Sequence, residues 1–149
     1  MTGMNKNSSF IRAFQAYSLY FAWIVSLVAT GGSLYFSEIA GYIPCTLCWF
    51  QRIFMYPLVF LLGIASYRDD RSIIPYIYPL TIVGGLISLY HVLLQNIPGL
   101  ANISPCTVGV PCHLDYIHWF GFITIPVLAL TAFILISLLL WSASKVQKD

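Results

Sequence analysis

The stretch Pro44-Cys45-Thr46-Leu47-Cys48-Trp49-Phe50-Gln51-Arg52 opens an apolar run that continues to Tyr67. Read as a helix, it puts Pro44 just ahead of the first turn, where a fixed φ and a missing N–H are tolerated. Cys45 and Cys48 then share one face at the helix N-terminus. The unpaired N–H groups and the macrodipole there favour negative sulfur, the nucleophile of thiol–disulfide exchange. Arg52 comes one turn after Cys48. It projects from the same face and brings a permanent cation near that sulfur or near a bound acceptor.

The rest of the chain says what kind of helix this is. Of 149 residues 59% are hydrophobic and 8% charged, and mean hydropathy is +0.83. Soluble domains carry roughly 25% charged residues, so this composition belongs to an integral membrane protein. Charged residues divide the chain into four apolar segments of spanning length, about Phe14–Phe36, Cys45–Tyr67, Ile73–Gln95 and Ile117–Trp141. Crossing a bilayer helically takes roughly 20 residues, and only helices satisfy their own backbone hydrogen bonds in lipid. The expected fold is therefore all-α, a single four-transmembrane-helix bundle over residues 1–149, with an outer redox loop at 96–116. A net charge of +2 with no basic run or aromatic-interleaved basic patch argues against nucleic acid as a partner.

The basic residues orient the bundle. Lys6 and Arg12 precede span one, Arg68 and Arg71 join spans two and three, and Lys145 and Lys148 follow span four. The other two connections hold no Lys or Arg. The positive-inside rule then predicts a multi-pass protein of the cytoplasmic membrane with both termini cytoplasmic and all four cysteines extracytoplasmic, where disulfides persist. Span one is too long and too aromatic for the roughly 7–15-residue core of a cleaved signal peptide.

Within the spans, Gly31 and Gly32 are candidates for close helix approach. Pro57 is expected to bend span two beyond Arg52. His91 and Gln95 are one turn apart near the outer end of span three, on a shared face, placed to hydrogen-bond a polar ligand head group. His113 and His118 read as surface or interface residues, and Trp119 and Trp141 as interfacial aromatics. The outer loop carries Pro105-Cys106 and Pro111-Cys112. A Cys106–Cys112 bridge would close a very short ring, and short rings stabilise least, so reactivity explains such a pair better than stapling.

Two cysteine pairs on one membrane face can exchange disulfides and pass two electrons inward. Flavin and dinucleotide fingerprints are missing, and Trp49 stands where a c-type haem motif needs histidine. A lipid-soluble acceptor such as a quinone is the simplest remaining choice, with Arg52 placed to stabilise the oxyanion formed on reduction.

The chain resembles the DsbB-type membrane disulfide-bond formation proteins, particularly their shorter BdbC-like branch. The resemblance rests on Pro44 to Arg52, on the Pro105-Cys106 and Pro111-Cys112 loop, and on Trp119-Phe120-Gly121-Phe122 opening span four. It implies a membrane dithiol:quinone oxidoreductase working with a DsbA-like (BdbD-like) thioredoxin-fold thiol oxidase and a quinone of menaquinone or ubiquinone type. By the resemblance, Cys106 and Cys112 form the disulfide that the partner attacks, with Cys106 as the site of the mixed disulfide. Cys45–Cys48 reoxidises the loop pair, Cys48 and Arg52 contact the quinone, and His91 matches the family's histidine near the ring. Gln51 stands where some members have glutamate, which removes a negative charge beside the thiolate.

Two rival readings use the same residues. The four cysteines would suit zinc or copper in a small membrane metal-binding protein, although the second pair has five residues between its cysteines, lies on an exposed loop and faces an oxidising compartment. Alternatively, both pairs are inert braces, and replacing Cys48 would then leave activity toward a thiol partner unchanged.

Overall fold

The structure, a computed structural model, describes residues 6–103, 106, 109, 111, 112 and 123–148. The chain folds as an up-and-down bundle of four helices: α1 (Lys6–Leu34), α2 (Thr46–Arg68), α3 (Ile74–Asn96) and α4 (Ile125–Lys148). Among the described residues these are four helices long and apolar enough to cross a membrane. Each helix packs on its neighbour in sequence, and α4 closes the ring against α1.

Three of the expected spans coincide with helices to within a few residues or extend into them. α1 begins before Phe14, and its outer end continues into a π-helical turn, Tyr35–Ile39. Span four differs more. Thr124 is not helical and α4 runs from Ile125 to Lys148, later at both ends than Ile117–Trp141. Pro126 is the reason at the outer end: it suits a helix's first turn and would break an interior one. The start of the expected span, with His113, His118 and Trp119, lies outside the described residues.

The core runs along the bundle axis through Leu19 and Ala22 of α1, Leu58 and Leu62 of α2, Ile74 and Ile77 of α3, and Phe133, Ile136 and Leu140 of α4. The opposite faces expose Val28, Phe60, Tyr76 and Leu138. Such apolar exteriors suit a lipid environment, where lipid replaces water as the solvent of the outer face. Some inward-turned polar side chains are satisfied locally: the buried Ser18 and Ser26 hydroxyls donate to the carbonyls of Gln15 and Trp23, each at 2.6 Å.

The close helix approach falls at Gly84, not at Gly31 or Gly32. A Cβ on Gly84 would run into the buried ring of Phe133, whereas one on Gly31 or Gly32 would meet nothing within 4 Å. At the end of the bundle away from the CxxC, Arg71 in the α2–α3 turn donates to the carbonyls of Ala143 in α4 (3.2 Å) and Ala16 in α1 (3.3 Å). One side chain thereby ties the turn to two helices it does not belong to.

Candidate functional site

Pro44 leads into the helix as the sequence predicts, and Cys45 is the N-cap of α2, extended at φ −75° and ψ 174°. Its carbonyl accepts from the N–H of Trp49 at 3.1 Å, closing the first turn. Cys48 therefore sits one turn in, with its sulfur 3.2 Å from that of Cys45. Cys106 and Cys112 are joined as a disulfide with their Cα atoms 5.9 Å apart. Both pairs belong to one cluster: Cys45, Leu47, Leu94 and Cys112 are buried together, and Cys48 and Cys106 pack against them.

His91 lies at the junction of the pairs and is only 2% exposed. Its Nε2 is 3.1 Å from the carbonyl oxygen of Cys112 and 3.7 Å from the sulfur of Cys45. Its Nδ1 is 3.3 Å from the amide nitrogen of Gln51, itself buried. Gln95, one turn further along α3, accepts from the hydroxyl of Thr124 at 2.9 Å. The expected His91–Gln95 face exists, but each residue is already engaged by a different protein group.

Arg52 lines the same cavity as Cys45 and Cys48 and is tied to α1 at Ser33. Its Nε donates to the Ser33 hydroxyl and its Nη2 to the Ser33 carbonyl, and its guanidinium lies 5.2 Å from the centre of the Trp49 ring. The cavity beside Cys45 and Cys48 is partly open, has a volume of about 470 Å³ and is lined by residues of all four helices. Its polar lining includes Cys45, Cys48, Gln51, Arg52, His91 and Gln95, and its walls include Ile24, Val28, Met55, Leu128 and Phe133.

The sequence reading did not find Ser33, Thr124 or the partnership of Gln51 with His91. Gln51 carried a usable signal, since an amide inside a spanning helix needs a buried partner. Ser33 and Thr124 carried none, because hydroxyls in membrane helices usually bond their own backbone.

The two sulfurs of the CxxC and a ring nitrogen of His91 lie within 4.8 Å of one another, close enough to share a soft metal ion. The four-thiolate site of the metal reading is not formed, because Cys106 and Cys112 are bonded to each other.

A ring of apolar helices with a dithiol and a disulfide packed together at one end defines a class: multi-pass membrane proteins that carry out thiol–disulfide exchange. Within that class the chain belongs to the DsbB family, whose model, described as disulfide bond formation protein DsbB, matches residues 15–143. It is 58% identical over 118 residues to disulfide bond formation protein C of Bacillus subtilis, covering 79% of this chain and 86% of that one. It is also 50% identical over 123 residues to a probable disulfide formation protein C 1 of Bacillus anthracis, covering 83% and 88%. A probable disulfide formation protein of Coxiella burnetii is 49% identical over 131 residues, covering 87% and 88%. No solved structure gives a significant match.

Proposed function

We propose that this protein is a membrane dithiol:quinone oxidoreductase that reoxidises a DsbA-like thioredoxin-fold thiol oxidase and so sustains disulfide formation in exported proteins. Electrons enter at Cys106–Cys112, pass to Cys45–Cys48, and leave to a quinone of menaquinone or ubiquinone type. The supporting observation is that Cys48, Arg52 and His91 line one mostly apolar cavity beside the cysteine cluster. Its volume, about 470 Å³, falls in the range of roughly 300–1,000 Å³ typical of small-molecule sites.

The lining fits a quinone: apolar walls for the ring and tail, and a few donors for the carbonyl oxygens. Arg52, Cys48 and His91 would hold it, and when bound it supplies a two-electron, two-proton acceptor. The chain's own residues do the rest. A dithiol partner attacks the loop disulfide and leaves oxidised, with Cys106 and Cys112 reduced. The loop pair then reduces Cys45–Cys48 by exchange within the buried cluster, which excludes competing thiols. Arg52, anchored by Ser33, holds a fixed positive charge on the cavity wall, and preorganised charge of this kind stabilises developing negative charge without reorganisation.

We place the cysteine end outside the cytoplasm. The distribution of Lys and Arg supports this orientation, since Arg68 and Arg71 mark the opposite end of the bundle. A second reading, a small membrane metal-binding protein, is favoured by the closeness of Cys45, Cys48 and His91. Stoichiometric, tightly bound zinc or copper in the reduced, purified protein would support it against the relay.

The decisive experiment measures quinone reduction by detergent-solubilised protein supplied with a reduced thioredoxin-fold dithiol, for wild type and Cys48→Ser. Turnover in the wild type that disappears in Cys48→Ser is expected. No turnover by the wild type with ubiquinone or menaquinone analogues, in protein whose cysteines are shown to be paired, overturns the proposal.

A further inference from the structure

Besides lining the acceptor's cavity, His91 is placed to act on the cysteines, and its hydrogen bonds say how. The carbonyl oxygen of Cys112 can only accept, so the ring nitrogen 3.1 Å from it, Nε2, carries a proton. In a neutral imidazole Nδ1 is then an acceptor, and the group facing it at 3.3 Å is the amide nitrogen of Gln51, a donor. The two contacts agree on one tautomer. The same Nε2–H faces the sulfur of Cys45 at 3.7 Å.

We propose that His91 is a catalytic hydrogen-bond donor to Cys45 during exchange between the two cysteine pairs, and that Gln51 is the positioning residue that selects its tautomer. The inference rests on the relay reading above and adds a second task for His91 to it, toward Cys45, while Arg52 serves the Cys48 side of the cavity.

The exchange runs in two displacements. Once a partner has reduced the loop pair, the Cys112 thiolate attacks Cys45. A Cys45–Cys112 bond forms, the Cys45–Cys48 bond breaks, and Cys48 leaves as a thiolate facing the cavity. Cys45 and Cys112 are the natural pair for this step because both are buried, at 6% and 2% exposure, against the same histidine. The Cys106 thiolate then attacks Cys112. The Cys106–Cys112 bond forms, the Cys45–Cys112 bond breaks, and Cys45 leaves with the electron pair. The loop has lost two electrons and the helix pair has gained two, and the two protons given up by the loop thiols balance the two new thiolates. The end point has Cys106 bonded to Cys112 and the Cys45 sulfur facing the His91 Nε2–H, which is the arrangement in the structure. A leaving thiolate in a buried site needs a donor, and His91 is aimed at it.

The histidine also gates the order of events. Its Nε2–H is shared between a main-chain carbonyl of the loop and the departing sulfur, so loop docking and thiolate release use one group. Gln51 keeps Nδ1 occupied, which prevents the ring from moving its proton to the nitrogen that faces away from both cysteine pairs.

The test uses the full chain in detergent, stripped of quinone, so that its outcome is independent of acceptor binding. Replacing His113 and His118 by glutamine leaves one imidazole of the three in the chain, and ¹⁵N spectra of histidine-labelled protein then report the His91 tautomer directly. In parallel, protein with both pairs oxidised is mixed with one equivalent of a reduced thioredoxin-fold dithiol, quenched in acid, alkylated and mapped for disulfides. The expected results are an Nε2–H tautomer and, in Gln51→Leu, a mixture of tautomers. That variant should also exchange about tenfold more slowly, with the Cys45–Cys112 species accumulating, as expected for the loss of one orienting hydrogen bond. An Nδ1–H tautomer in the otherwise wild-type protein overturns the proposal, as does unchanged internal exchange in folded Gln51→Leu. Should Gln51→Leu fail to fold, the tautomer alone decides. Absence of quinone turnover, by contrast, would remove the acceptor reading and leave this one standing.

Discussion

The guanidinium of Arg52 is gripped by Ser33: Nε donates to the hydroxyl at 3.0 Å and Nη2 to the carbonyl oxygen at 3.1 Å. Ser33 lies where α1 passes into its π-helical turn, Tyr35–Ile39. Among the described residues, the charge inside the bundle is thus held by a hydroxyl and a main-chain carbonyl of the neighbouring helix. Ser33→Ala removes one of the two bonds, about 1.5 kcal/mol for a bond to a charged group. It should raise the apparent KM for quinone roughly tenfold while the cysteine pairs still exchange. Arg52→Ala should weaken quinone use further. Unchanged apparent quinone affinity in Arg52→Ala would remove the arginine from the site.

Gly84 and Phe133 form a fitted pair between α3 and α4. Gly84→Ala drives a methyl group into a ring that has 1% exposure, and overpacking of this kind costs about 1–3 kcal/mol. Thermal unfolding in detergent should show the loss. Combining Gly84→Ala with Phe133→Leu should cost less than the sum of the single changes, because the smaller side chain yields the space. Strict additivity would show that the two do not share it.

Arg71 holds the carbonyls of Ala16 and Ala143 with separate guanidinium nitrogens, and its side chain is 13% exposed. An ammonium is a point donor without that fork. Arg71→Lys should therefore destabilise nearly as much as Arg71→Ala, about 1–3 kcal/mol. The measurement is the unfolding midpoint of each variant, and full rescue by lysine would contradict the bridging role.

The turn beside Arg71 gives a pH-dependent signal outside the membrane. The hydroxyl and N–H of Ser72 both donate to Asp70 Oδ1, at 2.6 Å and 2.9 Å, and hold its carboxyl below the ordinary value of 3.8. A depressed carboxylate contributes its stabilisation above the unfolded value and loses it as pH falls through the folded one. Acidification below about pH 4 should therefore loosen this turn first. Ser72→Ala should move the Asp70 titration up toward the ordinary value in carboxyl ¹³C spectra, and an unmoved titration would mean that the hydroxyl does not matter.

Much of the architecture was legible because lipid imposes a simple rule on apolar runs. The lengths of α2 and α3 followed from hydropathy and flanking charge almost to the residue. α4 was harder to place, since an apolar segment continues through Thr124 and Ile125 with no change in composition, and only Pro126 marks where a helix can begin. Gly31 and Gly84 illustrate a different limit. Small residues permit close approach, but which glycine is used depends on where a neighbour's bulk falls, and Phe133 lies about fifty positions further along the chain. The candidate site residues stood out because cysteine spacing and a lone intramembrane arginine are rare. Their partners were not visible. Ser33 and Thr124 are ordinary hydroxyls, and the link from His91 to Cys112 runs through a main-chain atom with no residue type to betray it.

That last contact changes how the loop should be engineered. Because the group facing His91 Nε2 is the carbonyl of Cys112, scanning the loop's side chains one by one would leave the contact in place and miss it. It depends on register: the number of residues between α3 and Cys112, and the path they take, determine whether a carbonyl arrives at the imidazole. A graft that carries both cysteines but shifts the chain by one residue would keep the thiols and lose this contact. The loop is thus specified by length and by the end of α3 as much as by its own sequence, and should be transplanted together with that helix end.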